Sequence, residues 1–197
     1  KVACREWEQH KPTPKLTWSA VELLKITTKS GAECTVREGL VTVSGINPDN
    51  DVYTVTLRSK LPILRALRLE LPTDPLQPTL GPGRNASGNF ILTGVRLKLA
   101  GSTETEVLPI REISADIRNE AKGYHLPSLV GASLTTRPGW TTSPAFDKPH
   151  FAIFELAEPL PGTIRLRVPS KAFLNLLAPD ATTPPPSKKP TCCFGGL

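Results

Sequence analysis

The chain has 197 residues, no Met, 21 Pro and a formal net charge of +6, and it contains no stretch near the ~20 consecutive apolar residues that a membrane-spanning helix requires. That length suffices for one self-standing core, and prolines scattered throughout leave little room for long helices, so the composition points to a single all-β domain. The basic residues alternate with apolar ones in Arg65/Arg68, Arg96/Lys98 and Arg165/Arg167, as on the wetted face of a strand, and no aromatic platform accompanies them, which argues against a nucleic-acid partner.

Taken in chain order, residues 1–20 read as an extended lead-in with Trp7 and Trp18, and residues 21–178 as a β-sandwich domain. Leu40–Ser44 and Val52–Leu57 alternate as strands on either side of a turn, Gly45-Ile46-Asn47-Pro48-Asp49-Asn50-Asp51, made of residues that favour tight backbone. Ala66–Leu71 follows, with one charged and one apolar face, and Pro72 ends it. Residues 72–89 form a long loop rich in Pro and Gly. Phe90–Leu99 reads as one strand with Val95, Leu97 and Leu99 on a shared face. Residues 105–117 supply a further strand or two, and 118–150 are mostly loop with a short helical turn. Phe151–Leu156 and Thr163–Val168, joined through Pro159-Leu160-Pro161-Gly162, read as a hairpin. Residues 179–197 have the composition of a Pro-rich tail.

The segment Gly81-Pro82-Gly83-Arg84-Asn85-Ala86-Ser87-Gly88-Asn89 has the glycines of a phosphate cradle, but it lacks the Lys-Ser/Thr ending and runs into a strand, so its glycines are expected to serve positive-φ turns. Arg84 and Asn89 then either tie the loop down or face a ligand. Trp140, after a turn, either caps the core or offers a platform to a sugar ring, and His150 lies in the same 136–150 region. Asn85-Ala86-Ser87 matches the N-glycosylation pattern. Cys4, Cys34, Cys192 and Cys193 allow a disulfide between distant positions but lack metal-ligand spacing, as do His10, His125 and His150. No metal, no cofactor and no catalytic residue is therefore expected; nucleophile-elbow and catalytic-Cys contexts are missing as well.

Ser30-Gly31-Ala32-Glu33, Val43–Tyr53, Leu64–Pro72, Gly81-Pro82-Gly83-Arg84 and Gly88–Thr93 together resemble a module of large exported planctomycete proteins that also carry planctomycete cytochrome-c-type domains. The resemblance spans roughly residues 17–168 and continues through Gly139-Trp140, Lys148–Glu155 and Pro159-Leu160. It implies a galactose-binding-like jelly-roll, a fold used by carbohydrate-binding modules. Where the family pattern has an Asp-Gly turn before the Trp, this chain has Ala132-Ser133-Leu134-Thr135-Thr136, which speaks against a calcium site of that fold. A missing Met at position 1 fits removal of a signal peptide, and export to the periplasm, cell surface or medium. The expected function is non-catalytic recognition of a glycan or cell-surface polymer through Arg84, Asn89, Trp140 and His150. The alternative is a structural or docking subunit, in an oligomer or larger complex with other exported proteins.

Overall fold

The computed structural model describes residues 18–73, 80–103, 106–130 and 139–160, together with the backbone of 163–169 and 175–179. The described residues are built almost wholly of antiparallel strands: β1 (Trp18–Ala20), β2 (Glu22–Thr28), β3 (Glu33–Arg37), β4 (Leu40–Ser44), β5 (Val52–Arg58), β6 (Leu64–Leu71), β7 (Ile91–Leu92), β8 (Arg96–Leu99), β9 (Ile110–Ala115), β10 (Trp140–Thr141), β11 (His150–Leu160), β12 (Thr163–Pro169) and β13 (Asn175–Pro179). A five-stranded sheet runs β1-β13-β6-β11-β9 and a four-stranded sheet β2-β5-β12-β8, with β3-β4 and β7-β10 as smaller pairs. Helical structure among the described residues is confined to the 3₁₀ turns Glu120–Lys122 and Leu126–Val130.

Period-two patterning explains which side of each central strand is buried. In β5, Tyr53, Val55 and Leu57 are buried and alternate with partly exposed Val52, Thr54 and Thr56. In β6, Leu67, Leu69 and Leu71 turn inward opposite Phe154, Ala152 and His150 of β11, leaving Arg68 opposite Ile153 and Glu70 opposite Phe151 on the other face. The inward residues of both larger sheets join Phe90, Leu92, Leu126, Leu129 and Trp140 in one buried cluster.

Two expectations are corrected. Phe151–Leu156 and Thr163–Val168 do not form a hairpin, because β11 pairs with β6 and β9 whereas β12 pairs with β5 and β8 of the other sheet. Alternation fixes which face of a strand is buried and says nothing about its neighbour, and a Pro-Gly connection can pass from sheet to sheet as readily as turn back. The single strand over 90–99 is two short ones, since the Val95 N–H leaves the ladder and donates to the Leu129 carbonyl at 2.7 Å.

The first three strands lie where alternation is poor. A bulge between Leu23 and Lys25 breaks the period of β2. The β3–β4 hairpin turns on two residues, Glu38 (φ 51°) and Gly39 (φ 81°), the left-handed pair of a type I′ turn with Glu where Asn or Asp is favoured. β1 takes the end of the lead-in into the five-stranded sheet beside β13.

Candidate functional site

Three loop segments that stand apart in sequence are fastened to one another by side chains. The 81–89 loop folds back on itself through Gly83 N–H to the Gly88 carbonyl (2.9 Å) and Gly88 N–H to the Asn85 carbonyl (3.0 Å). Gly88 has φ 72°, as positive-φ turns require, but Gly83 is needed for a different reason: a Cβ there would lie 1.8 Å from the Asn89 carbonyl oxygen. Arg84 then reaches the 45–51 turn, where its two Nη groups donate to the Gly45 carbonyl (2.9 Å) and the Ile46 carbonyl (3.0 Å), and the Asn47 amide donates back to the Arg84 carbonyl (2.9 Å).

The side chain of Tyr53 is completely buried near this clamp. Its hydroxyl is left without a hydrogen-bond partner, since the nearby Arg84 guanidinium is directed at the two carbonyls. Burial, reinforced by the charge of Asp51 and opposed by Arg84, pushes the Tyr53 phenol up to about 12. The half-buried Cys34 thiol is raised by the same influences in the same order. Cys34 is free among the described residues, and Cys4, Cys192 and Cys193, the other members of any disulfide, lie outside them.

Asn89 and Trp140 belong to a second tie. The Asn89 Oδ1 accepts from the hydroxyls of Thr141 (2.9 Å) and Thr142 (3.3 Å), while the Phe90 N–H donates to the Thr142 hydroxyl (3.2 Å) and the Thr142 N–H to the Phe90 carbonyl (3.2 Å). Trp140 is 1% exposed, meets Phe90 edge-on at 6.0 Å between ring centroids, and donates its indole N–H to the Ile117 carbonyl at 3.1 Å. A sugar platform needs a ring face open to solvent, and Trp140 is instead placed as a cap on the core, the other of its two expected roles.

His150 is 5% exposed and sits between two acceptors, with Nδ1 2.8 Å from Asp116 Oδ2 and Nε2 2.5 Å from the Ala145 carbonyl. The second oxygen of Asp116 accepts the Phe151 N–H at 3.0 Å. Both ring nitrogens of His150 and both carboxylate oxygens of Asp116 are thus engaged within the chain. A comparable carboxylate, Asp51 at 5% exposure, accepts from Ser30 N–H (3.1 Å), Ser30 hydroxyl (2.6 Å) and Val52 N–H (2.8 Å), closing the turn between β2 and β3 onto the start of β5.

A different set of functional groups lies on the face of the five-stranded sheet turned away from the core. Arg68 on β6 packs its guanidinium carbon 4.1 Å from the Phe151 ring centroid of β11 and 5.7 Å from the Trp18 ring of β1. Its Nη2 pairs with Glu70 at 2.9 Å, and the two side chains keep about a quarter of their surface, 25% and 26%. Trp18 and Phe151 are half-buried. Glu155, pairing with Arg111, continues the face toward β9. The signal for this patch was the outward parity of Arg68, Glu70 and Phe151, each offset by one from a buried apolar neighbour; strand order across β13, which brings Trp18 near, is not written in parity.

Among the described residues no group of three or more His, Cys, Asp and Glu is placed to hold a metal ion, and no described helix is long and apolar enough to cross a membrane. The 132–136 segment, and with it the calcium question, lies outside the described residues. No protein-family model, curated protein or solved structure matches the chain.

Losing the Arg84 clamp is expected to matter to folding. Arg84→Ala removes two charge-assisted hydrogen bonds and should lower stability by about 2 kcal/mol, while Gly83→Ala should lower it by more than about 3 kcal/mol or prevent folding. Denaturant midpoints read both; an unchanged midpoint for either variant contradicts the clamp.

Tyr53 gives a pH dependence of definite sign. A folded-state phenol near 12 against an ordinary value of 10.0 favours the protonated, folded form. That contribution is complete below pH 10 and is lost as pH rises toward 12. Tyr53→Phe, which also removes a buried hydroxyl lacking a partner, should match or exceed the parent stability at neutral pH and lose less between pH 10 and 12. Urea midpoints across that window check it; a Phe variant with the parent's alkaline loss overturns the assignment.

Proposed function

We propose that the chain is a non-catalytic recognition module of exported proteins, built as a galactose-binding-like jelly-roll sandwich, and that its ligand is a glycan or cell-surface polymer. The joining of inward residues from the five- and four-stranded sheets into one core supports the sandwich. Engagement of Asp116 and His150 with each other and with backbone supports a structural rather than a proton-transfer role for that pair. The observation that carries recognition is the aromatic and guanidinium patch of Trp18, Arg68 and Phe151, which combines apolar ring area with hydrogen-bonding groups on a broad sheet face.

A docking role is the second reading, because Arg and aromatic residues are also those over-represented at protein interfaces. A glycan array probed with the full chain, alongside light scattering, separates the two. Selective binding to carbohydrate by a monomer is the expected outcome; a large defined oligomer with no carbohydrate bound would establish the docking role instead.

A further inference from the structure

We infer that the outward face of the four-stranded sheet is a docking surface for an anionic polysaccharide, one that carries carboxylate or sulfate groups along its length. The inference rests on the recognition role proposed above and gives its glycan a charge class and a second sheet face.

Strand register brings together basic residues that lie far apart in the chain. Tyr53, Val55, Leu57 and Leu97 are buried in the core, so the alternate positions of β2, β5, β12 and β8 fall on the opposite face. One row across that face runs Lys25, Thr56, Arg165 and Lys98, and the next runs Thr27, Thr54, Arg167 and Arg96, each residue being the register partner of the one before it. Lys29, whose N–H donates to the Val52 carbonyl at 2.9 Å, continues β2 with the parity of Thr27. At the other end of the face Glu22, the one carboxylate among the described positions of this face, is 3.7 Å from Arg58 and so is met already.

Charge complementarity selects the occupant. Lys25 and Lys29 are exposed and have no ion-pair partner among the described residues, while Arg96 is half-buried and Lys98 is 6% exposed behind them. Arg165 stands opposite Lys98 and Arg167 opposite Arg96. Like charges directly opposite in an antiparallel pair are destabilising, and a bound anion relieves that repulsion. The basic positions extend over three strand spacings, about 14 Å, which is wider than one carboxylate or sulfate and matches a polymer with repeated charges. On the five-stranded sheet, by contrast, Arg68 is met by Glu70 and Arg111 by Glu155. Between the cations stand Thr27, Thr54 and Thr56, whose hydroxyls can donate to and accept from sugar hydroxyls. Neither row holds an aromatic residue on which nucleic-acid bases could stack.

The test is biolayer interferometry of the full chain over end-biotinylated dextran, dextran sulfate, polygalacturonate and poly(dT), with cosedimentation on phosphatidylglycerol vesicles beside it. The double variant Lys25→Gln/Lys29→Gln is compared with Lys122→Gln/Lys148→Gln, which has the same net charge and alters exposed lysines elsewhere. Binding to dextran sulfate or polygalacturonate and not to dextran is expected, weakened by added salt. The first double variant should weaken it about tenfold or more and the second hardly at all. The unsubstituted chain provides a second measurement: acetylation of Lys25 and Lys29, read by peptide mass spectrometry, should be suppressed by the bound polymer while Lys122 and Lys148 still react.

Equal weakening by the two double variants, with Lys25 and Lys29 left unprotected, would overturn the site. Tighter binding to poly(dT) or to the vesicles than to either anionic polysaccharide would overturn the polysaccharide class. Neutral glycans bound on the array, with neither dextran sulfate nor polygalacturonate bound, would remove this face and leave glycan recognition standing. If the array is blank and no polysaccharide binds, the recognition role falls and the site falls with it.

Discussion

Where a β-sheet ends, its backbone amides and carbonyls still need partners, and in this chain a handful of polar side chains meet that requirement. Asp51 takes the amides of Ser30 and Val52, Asp116 takes that of Phe151, Thr142 takes that of Phe90, and Arg84 covers the carbonyls of Gly45 and Ile46. Apart from the contact between the adjacent Asp51 and Val52, each tie joins segments remote in sequence, the Arg84 contacts spanning 38 and 39 residues. The Ser30–Asp51 contacts tie the β2–β3 turn to β5 and the Phe90–Thr142 contact ties β7 to β10, while apolar packing joins residues of both short pairs to the common core.

These ties also decide what the loops can do. A side chain whose hydrogen-bonding capacity is used on its own backbone has little left to offer a ligand, and breaking such a buried bond to bind something else would leave an unsatisfied group behind. Arg84 and His150 fall in this class, the Asn89 Oδ1 is taken by the Thr141 and Thr142 hydroxyls, and Trp140 is enclosed with its N–H on Ile117. The polar residues that make the sequence distinctive are therefore those that specify its loop geometry. At regular strand positions, by contrast, Arg68, Glu70 and Phe151 face outward because Leu67, Leu69, Leu71 and Ala152 face inward.

Much of the fold was legible in alternation. Leu40–Ser44 and the core of Val52–Arg58 follow directly from a period of two, as do the starts of β6 and β11 to within a few residues. Alternation fails where the chain departs from it: the bulge at Leu24 conceals β2, Val95 turning to Leu129 divides the 90–99 segment, and the Glu38-Gly39 turn lacks the favoured Asn-Gly pair. Partners were not legible. The separation of β11 from β12 into different sheets, and the nearness of Trp18 to Arg68, arise from strand order, which side-chain parity does not encode. The glycines of the 81–89 loop announced tight backbone, but the reason for Gly83, contact with the Asn89 carbonyl, became visible only in three dimensions.

Native-state hydrogen exchange tests most directly whether hydrogen bonds outside the ladders hold the loops as ladders hold the strands. The amides of Ser30, Val52, Gly83, Phe90 and Phe151 all donate outside a regular ladder. They should exchange as slowly as ladder amides in the central strands β5 and β6. Exchange of these five amides at the rate of open loops, while β5 and β6 stay protected, would contradict it.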